Sequence, residues 1–513
     1  MQICYAVLLS AILLFSGCSS LPKEYHYTKR STFQEHKGTA IDRLFASDIK
    51  KHPKLSGFYL IPYGEDALTA RIAMCDLAEK SLDMQYYLWH NDDSGVLLAQ
   101  HVIKAANRGV KVRILIDDIG LQGKDSIISS ISAHPNIDIR IFNPFAYRYL
   151  RIIDFLSDFD RLNHRMHNKT FIVDNRVSII GGRNIGDQYF ALSTKSNFRD
   201  LDIVSAGPIV RQISNVYEHF WSGSWSMPIE LLVGKRYAYR DLLSIEKSID
   251  QRVSNIKFHY RLDRDLKEMR SRLVTIKNHF IWAEGYYIWD DPEVMSRSYD
   301  NQKGTMIEKL SKRVKSLKGR LYIESAYFIP RDSGIEELKK LHNRGIKIRV
   351  LTNSLASNDV VPAHAGYAGY REDLIRSGVE LYELREDVGG SDITNDDLLT
   401  DTKNSGLHTK SVVFDDSSIF VGSFNLDPRS ASINTEGGLY IKSKKLTRQL
   451  IKYMDQGVLP EHSYRVLLDK RGDLLWSTQI DGKTILYHTE PKSSIWKRFQ
   501  SNFIGILPIE LQL

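Results

Sequence analysis

Two octets decide how this chain is read: His167-Asn168-Lys169-Thr170-Phe171-Ile172-Val173-Asp174 and His408-Thr409-Lys410-Ser411-Val412-Val413-Phe414-Asp415. Their spacings agree residue for residue, and each is followed by a glycine-containing turn that ends in asparagine. These turns are Gly181-Gly182-Arg183-Asn184 and Gly422-Ser423-Phe424-Asn425. One such match could arise by chance; two with the same internal spacing and the same turn could not plausibly do so. The apolar residues between Lys and Asp read as strand, and strand alternation would aim the His and Lys of each octet at one face.

Working outward, the octets belong to a longer repeat. Asn107-Arg108-Gly109-Val110-Lys111-Val112-Arg113 returns as Asn343-Arg344-Gly345-Ile346-Lys347-Ile348-Arg349, an offset of 236. Asp93-Ser94-Gly95 returns as Asp332-Ser333-Gly334 at an offset of 239, and the octets at 241. Three pairs in the same order make this a tandem duplication of one domain, since solenoid repeats are much shorter. Each copy alternates strand and helix. Ser81–Trp89 and Leu321–Ile329 read as strands, Val96–Ala106 and Ile335–His342 as helices, and Val110–Ile116 and Ile346–Leu351 as strands again. Gly109 falls where a helix C-terminal glycine belongs. The class is α/β, with strands covered by helices. The helical stretch Ile209–Phe220 reads as core. Residues 255–300 are irregular and read as the linker, and 386–406 as a flexible polar loop.

The 513 residues are 42% hydrophobic and 26% charged, which excludes a disordered or collagen-like chain. With only Cys4, Cys18 and Cys75, a disulfide scaffold is excluded too. The net charge of +8 favours polyanionic partners, either nucleic acid or an anionic membrane surface. At the start, Ile3–Phe15 is an apolar run too short to span a bilayer, and Phe15-Ser16-Gly17-Cys18 resembles a bacterial lipoprotein cleavage site. Residues 1–17 are then a signal peptide and 18–50 a tether with a lipidated Cys18; a short uncleaved anchor is the alternative. Further divisions are expected at 51–270 for the first domain, 271–460 for the second and 461–513 for a C-terminal extension.

The octets hold the residue types that phosphodiester chemistry needs. A neutral imidazole can attack phosphorus, and a second one, held protonated, can donate to the leaving oxygen and later deprotonate an incoming alcohol or water. Two ammonium groups and two asparagine amides can hold the phosphoryl oxygens. No clustered metal motif is evident, and none is required.

The paired octets resemble the phospholipase D superfamily over most of residues 55–460. That resemblance implies a tandem α-β-α sandwich with one active site at a pseudo-two-fold interface and no metal or cofactor. It implies His167 as the nucleophile and His408 as acid and base. Lys169, Lys410, Asn184 and Asn425 would hold phosphate, and Asp174 and Asp415 would be structural. Glu436 is expected to orient a catalytic imidazole, and either Asp200 or Asp202 is its counterpart in the first copy.

Met166-His167-Asn168-Lys169, the run from Gly181 to Asp187 and the ending Pro508-Ile509-Glu510-Leu511 are similar to the cardiolipin synthase C branch and its lipoprotein relatives. The implied activity is phosphatidyl transfer between phospholipids, with phosphatidylglycerol and phosphatidylethanolamine as candidate lipids. Hydrolysis to phosphatidic acid and nucleic-acid cleavage are the alternatives, although no nucleic-acid partner is expected. The implied setting is the bacterial envelope, facing the periplasm with the outer membrane preferred, and the implied state is a monomer of two pseudo-symmetric halves. Phe145–Leu162, which mixes apolar residues with Arg148 and Arg151, is expected to be a helix lying on the membrane near the site or packed on the body.

Overall fold

The computed structural model describes residue 21 and residues 37–233, 237–257, 266–296, 302–388, 404–505 and 512. Cys18, the apolar run before it, most of the 386–406 loop and the Pro508–Leu511 ending lie outside the described residues. The first copy contributes β1 (Ser56–Ile61), β2 (Ser81–Tyr86), β3 (Lys111–Asp117), β4 (Ile137–Phe142), β5 (Thr170–Val173), β6 (Val177–Gly181), β7 (Ser196–Arg199), β8 (Asp202–Ala206) and β9 (Ser226–Pro228). The second contributes β10 (Ile281–Trp289), β11 (Arg320–Ser325), β12 (Lys347–Asn353), β13 (Val379–Leu384), β14 (Asn404–Leu407), β15 (Lys410–Phe414), β16 (Ser418–Gly422), β17 (Gly437–Lys442) and β18 (Ser463–Leu468). A terminal hairpin, β19 (Leu474–Ile480) and β20 (Lys483–Tyr487), completes the set.

Pairing makes one continuous ribbon, in the order β9-β4-β3-β2-β5-β6-β8-β1-β10-β17-β16-β15-β11-β12-β13-β18-β19-β20. Read outward from the antiparallel β1–β10 pair, the two halves match strand for strand, so a pseudo-two-fold axis runs through that pair. In each half three strands are parallel (β2, β3, β4; β11, β12, β13), as strand-helix-strand repeats require. Helices Asp93–Asn107 and Arg331–Asn343 make equivalent crossovers, and each ends on a glycine with positive φ, Gly109 at 98° and Gly345 at 80°.

Three main cores result. One lies under the outer helices of the first half and another under those of the second. The third is shared: helix Pro208–Ser222 brings Ile209, Ile213 and Phe220, and helix Lys444–Gly457 brings Leu446, Leu450 and Met454, against strands of both halves. Trp221 is buried there, with Trp225 and Trp289 packed at its edge.

Four expectations need correction. The stretch read as an irregular linker holds helix Leu266–Asn278 and β10, which pairs through its first residues with β1 and through the rest with β17. The tether does not run to residue 50. Helix Ala40–Lys51 is capped by Thr39 and buries Ile41 and Phe45 in the first core. The boundary at 460 cuts a sheet, because β18 pairs with β13 and continues the second half. Finally, the strands expected over Ser81–Trp89 and Leu321–Ile329 end at Tyr86 and Ser325.

Candidate active site

The octets sit as the alternation requires, except that both histidines and Lys169 stand in the extended segments just before β5 and β15. The apolar triplets Phe171–Val173 and Val412–Phe414 are buried between neighbours on both sides, which fixes the register of each octet. Beyond the triplets the chain reverses, and the motif aspartates take positive φ, 48° at Asp174 and 53° at Asp415. Their carboxylates accept backbone N–H groups at the entry of the adjacent strand: Glu79, Lys80 and Ser81 for Asp174, and Lys318, Gly319 and Arg320 for Asp415. Both aspartates are anchors that tie the octet to its sheet.

The residue before each histidine is pinned from the end of the next parallel strand. Asp117 at the end of β3 accepts Met166 N at 2.9 Å, and Asn353 at the end of β12 accepts Leu407 N at 2.7 Å. These two are equivalent positions of the repeat that motif reading passed over; their offset of 236 was the available signal.

Two short parallel pairings then cross between halves. Met166 bridges Thr435, and β14 pairs with β7 so that Leu407 faces Arg199. One residue further on, each pairing sets a histidine beside an acid from the other half. His167 Nδ1 lies 2.9 Å from Glu436 Oε1, and His408 Nδ1 lies 2.6 Å from Asp200 Oδ2. Sequence left Asp200 and Asp202 open; Asp202 instead pairs with Arg71 at 2.9 Å. His167 Nδ1 also lies 3.1 Å from the Ser423 carbonyl. A carbonyl only accepts, so Nδ1 carries the hydrogen and Nε2 of a neutral His167 keeps its lone pair.

Lys169 and Lys410 are buried, and each donates to the carbonyl of its own motif histidine at 2.6 Å. Tyr87 meets His167 edge-on at 5.1 Å between ring centroids, and Tyr189 meets His408 in the same way at 5.1 Å. Neither tyrosine was expected from sequence. The Asn184 Nδ2 donates to the Tyr189 hydroxyl at 3.0 Å, and its Oδ1 accepts Leu88 N, so this amide is partly committed to the scaffold. Asn425 is buried beside the second motif. Arg183 is buried and donates to the carbonyls of Ile61, Tyr189 and Asp200, which braces the segment carrying Asp200.

Burial governs the electrostatics. Burial first, then the ammonium groups of Lys169 and Lys410, hold His167 well below the usual imidazole range. His408 is held low by burial, Lys410 and Lys169. Burial also lowers both lysines and raises Asp200, and it lifts Glu436 to about 7. The expectation that one imidazole stands protonated therefore needs the negative charge of a phosphodiester beside it. Among the described residues no group of three or more His, Cys, Asp or Glu is placed to hold a metal ion.

Two imidazoles presented by a duplicated α/β scaffold, each oriented by a carboxylate of the opposite half and each followed by a buried lysine, define an enzyme of the phospholipase D type. The chain belongs to the family described as cardiolipin synthase, PLD-like domain, whose model matches residues 72–221 and 310–457. It is 36% identical over 461 residues to cardiolipin synthase C of Escherichia coli (strain K12), covering 90% of this chain and 97% of that one. An uncharacterized protein of Helicobacter pylori (strain ATCC 700392 / 26695) is 32% identical over 501 residues, covering 97% of this chain and 98% of its own. Phosphatidylserine synthase of Haemophilus influenzae Rd KW20 superposes with a TM-score of 0.54 at 15% identity, over 82% of this chain and 91% of that structure. At that identity the likeness is one of fold.

Proposed function

We propose that this enzyme transfers a phosphatidyl group from one phospholipid to the alcohol of another, typically phosphatidylglycerol, making cardiolipin through a covalent phosphohistidine. The observation that carries the chemistry is the crossed pairing of His167 with Glu436 and His408 with Asp200 around two buried lysines. The similarity to cardiolipin synthase C supports the choice of lipid substrate.

In this scheme Nε2 of His167 attacks phosphorus. The P–N bond forms as the ester P–O bond breaks, and the departing alkoxide takes a proton from His408. The acceptor alcohol then enters, His408 removes its proton, and its oxygen displaces His167 from phosphorus. Lys169 and Lys410 offset the charge on the phosphoryl oxygens, and the anionic phosphodiester in turn favours a protonated His408. Glu436 and Asp200 orient the rings. No metal or cofactor takes part. A lipidated Cys18 would hold the enzyme at an envelope membrane, facing the periplasm.

Purified enzyme is incubated with labelled phosphatidylglycerol, phosphatidylethanolamine and DNA, with and without chelator, beside the His167→Ala variant. Cardiolipin formed despite chelator, and reduced by about 1,000-fold or more in the variant, is the expected outcome. Phosphatidic acid as the sole lipid product would make the enzyme a hydrolase, and DNA cleavage alone would overturn the lipid reading.

A further inference from the structure

The segment before the first octet turns the usual amphipathic order inside out. A surface helix normally buries its apolar face. In helix Arg151–Ser157 and the residues just before it the charged groups Arg148, Arg151 and Asp154 are buried instead. Arg148 and Arg151 pair with Asp118, and Asp154 accepts Tyr147 N. Tyr149, Ile152 and Leu156 point outward at 93%, 64% and 79% exposure. Toward the other end of the chain, helix Ile495–Gly505 also turns apolar side chains outward. Trp496, Phe499 and Phe503 are all more than half exposed, and their rings stack in series at 5.5 and 6.3 Å.

These segments are not copies of each other, yet they occupy equivalent places. Arg151 donates to the carbonyls of Asp118 and Ile119, in the loop after β3. Lys497 donates to the carbonyls of Ala356 and Asn358, in the loop after β12. The two loops are partners in the repeat, and each follows the residue that pins a catalytic segment, Asp117 or Asn353. Points related by a two-fold axis lie level along it, so the two loops that hold the prongs lie level on either side of the shared site. The ends of the prongs also converge: Gln512, seven positions past Gly505, accepts from Asn163 at 2.6 Å, four positions past Phe159.

We propose that these prongs form one membrane-contact face that seats the mouth of the site on a phospholipid bilayer containing anionic lipid, with the pseudo-two-fold axis along the bilayer normal. Exposed Trp, Phe and Tyr suit the headgroup boundary, where an aromatic ring has apolar and polar neighbours at once. The charge is complementary: Lys492 is exposed at the start of the second prong, and residues 491–505, which also hold Lys497 and Arg498, contain no Asp or Glu. The choice of bilayer rests on the phospholipid reading given above.

The test uses the full chain on vesicles of phosphatidylethanolamine and phosphatidylglycerol. A fluorophore is attached through Leu156→Cys, Phe499→Cys or, as control, Lys347→Cys at the opposite end of β12, and each is read against the unsubstituted chain labelled in the same way. On vesicles, quenching by aqueous iodide should fall about tenfold at 156 and 499 and stay unchanged at 347, while brominated acyl chains quench the first two. Unchanged iodide access at both prongs overturns the proposal, and shielding of one alone overturns the two-pronged arrangement. The label reports contact and not turnover, so a chain that inserts both prongs but makes no cardiolipin defeats the transferase reading while leaving the face standing. With Leu156→Glu and Phe499→Glu combined, turnover of vesicle lipid should drop about tenfold, with turnover of the same lipid in detergent micelles held within about twofold. An equal loss in both would overturn the role of the face.

Discussion

Gly182 and Ser423 hold the same place in the two copies, and the acids facing them explain why they differ. A Cβ on Gly182 would lie 2.3 Å from Asp200 Oδ1, so only glycine leaves room for the carboxylate that orients His408. In the other half the space admits a serine, whose hydroxyl donates to Glu436. Gly182→Ala should therefore push Asp200 off the His408 ring and lower kcat by about 100-fold, with KM for lipid little changed. Steady-state rates on mixed micelles, with circular dichroism to verify the fold, check this. A loss in KM alone would mean that Gly182 serves binding. The octets were legible because their residue types and spacing repeat. The choice of Asp200 over Asp202 was not, because it depends on which of them meets Arg71.

At the scale of elements, β10 is the strand that the sequence hid. Strand recognition relies on alternation against a constant pair of layers. β10 changes partner halfway, from β1 over 281–283 to β17 over 284–289, and its burial changes with it. The hairpin β19–β20 is the opposite case. Asp481-Gly482 is a local turn signal, and both residues have positive φ, 49° and 72°. The same junction contains a close approach: a Cβ on Gly285 of β10 would lie 2.4 Å from the buried Phe58 ring of β1. Gly285→Ala should destabilise the chain by about 1–3 kcal/mol through overpacking. Thermal unfolding measures it, and an unchanged Tm would show that the ring yields freely.

For the molecule as a whole, the site is charge buried for function at a cost in stability. Glu436 titrates near 7 in the fold against 4.5 ordinarily, so the folded chain binds this proton more tightly than the unfolded one. The contribution of Glu436 to stability is then full below pH 4.5 and lost as pH rises through 7. Glu436→Gln should raise stability at pH 7.5 by on the order of 1–3 kcal/mol, leave it unchanged at pH 4.5, and reduce turnover. Calorimetry at the two pH values reads the difference; equal shifts at both would place the cause in packing. The duplication announced two halves sharing one centre, but not that each half completes the other, because the crossing depends on two short backbone pairings that leave no pattern in composition. That crossing has a consequence in time. His167 leaves the ribosome 269 residues ahead of the carboxylate that orients it. A nascent or truncated chain carries an imidazole without its orienting acid, and competence for lipid chemistry arrives only when nearly the whole chain has been made and folded.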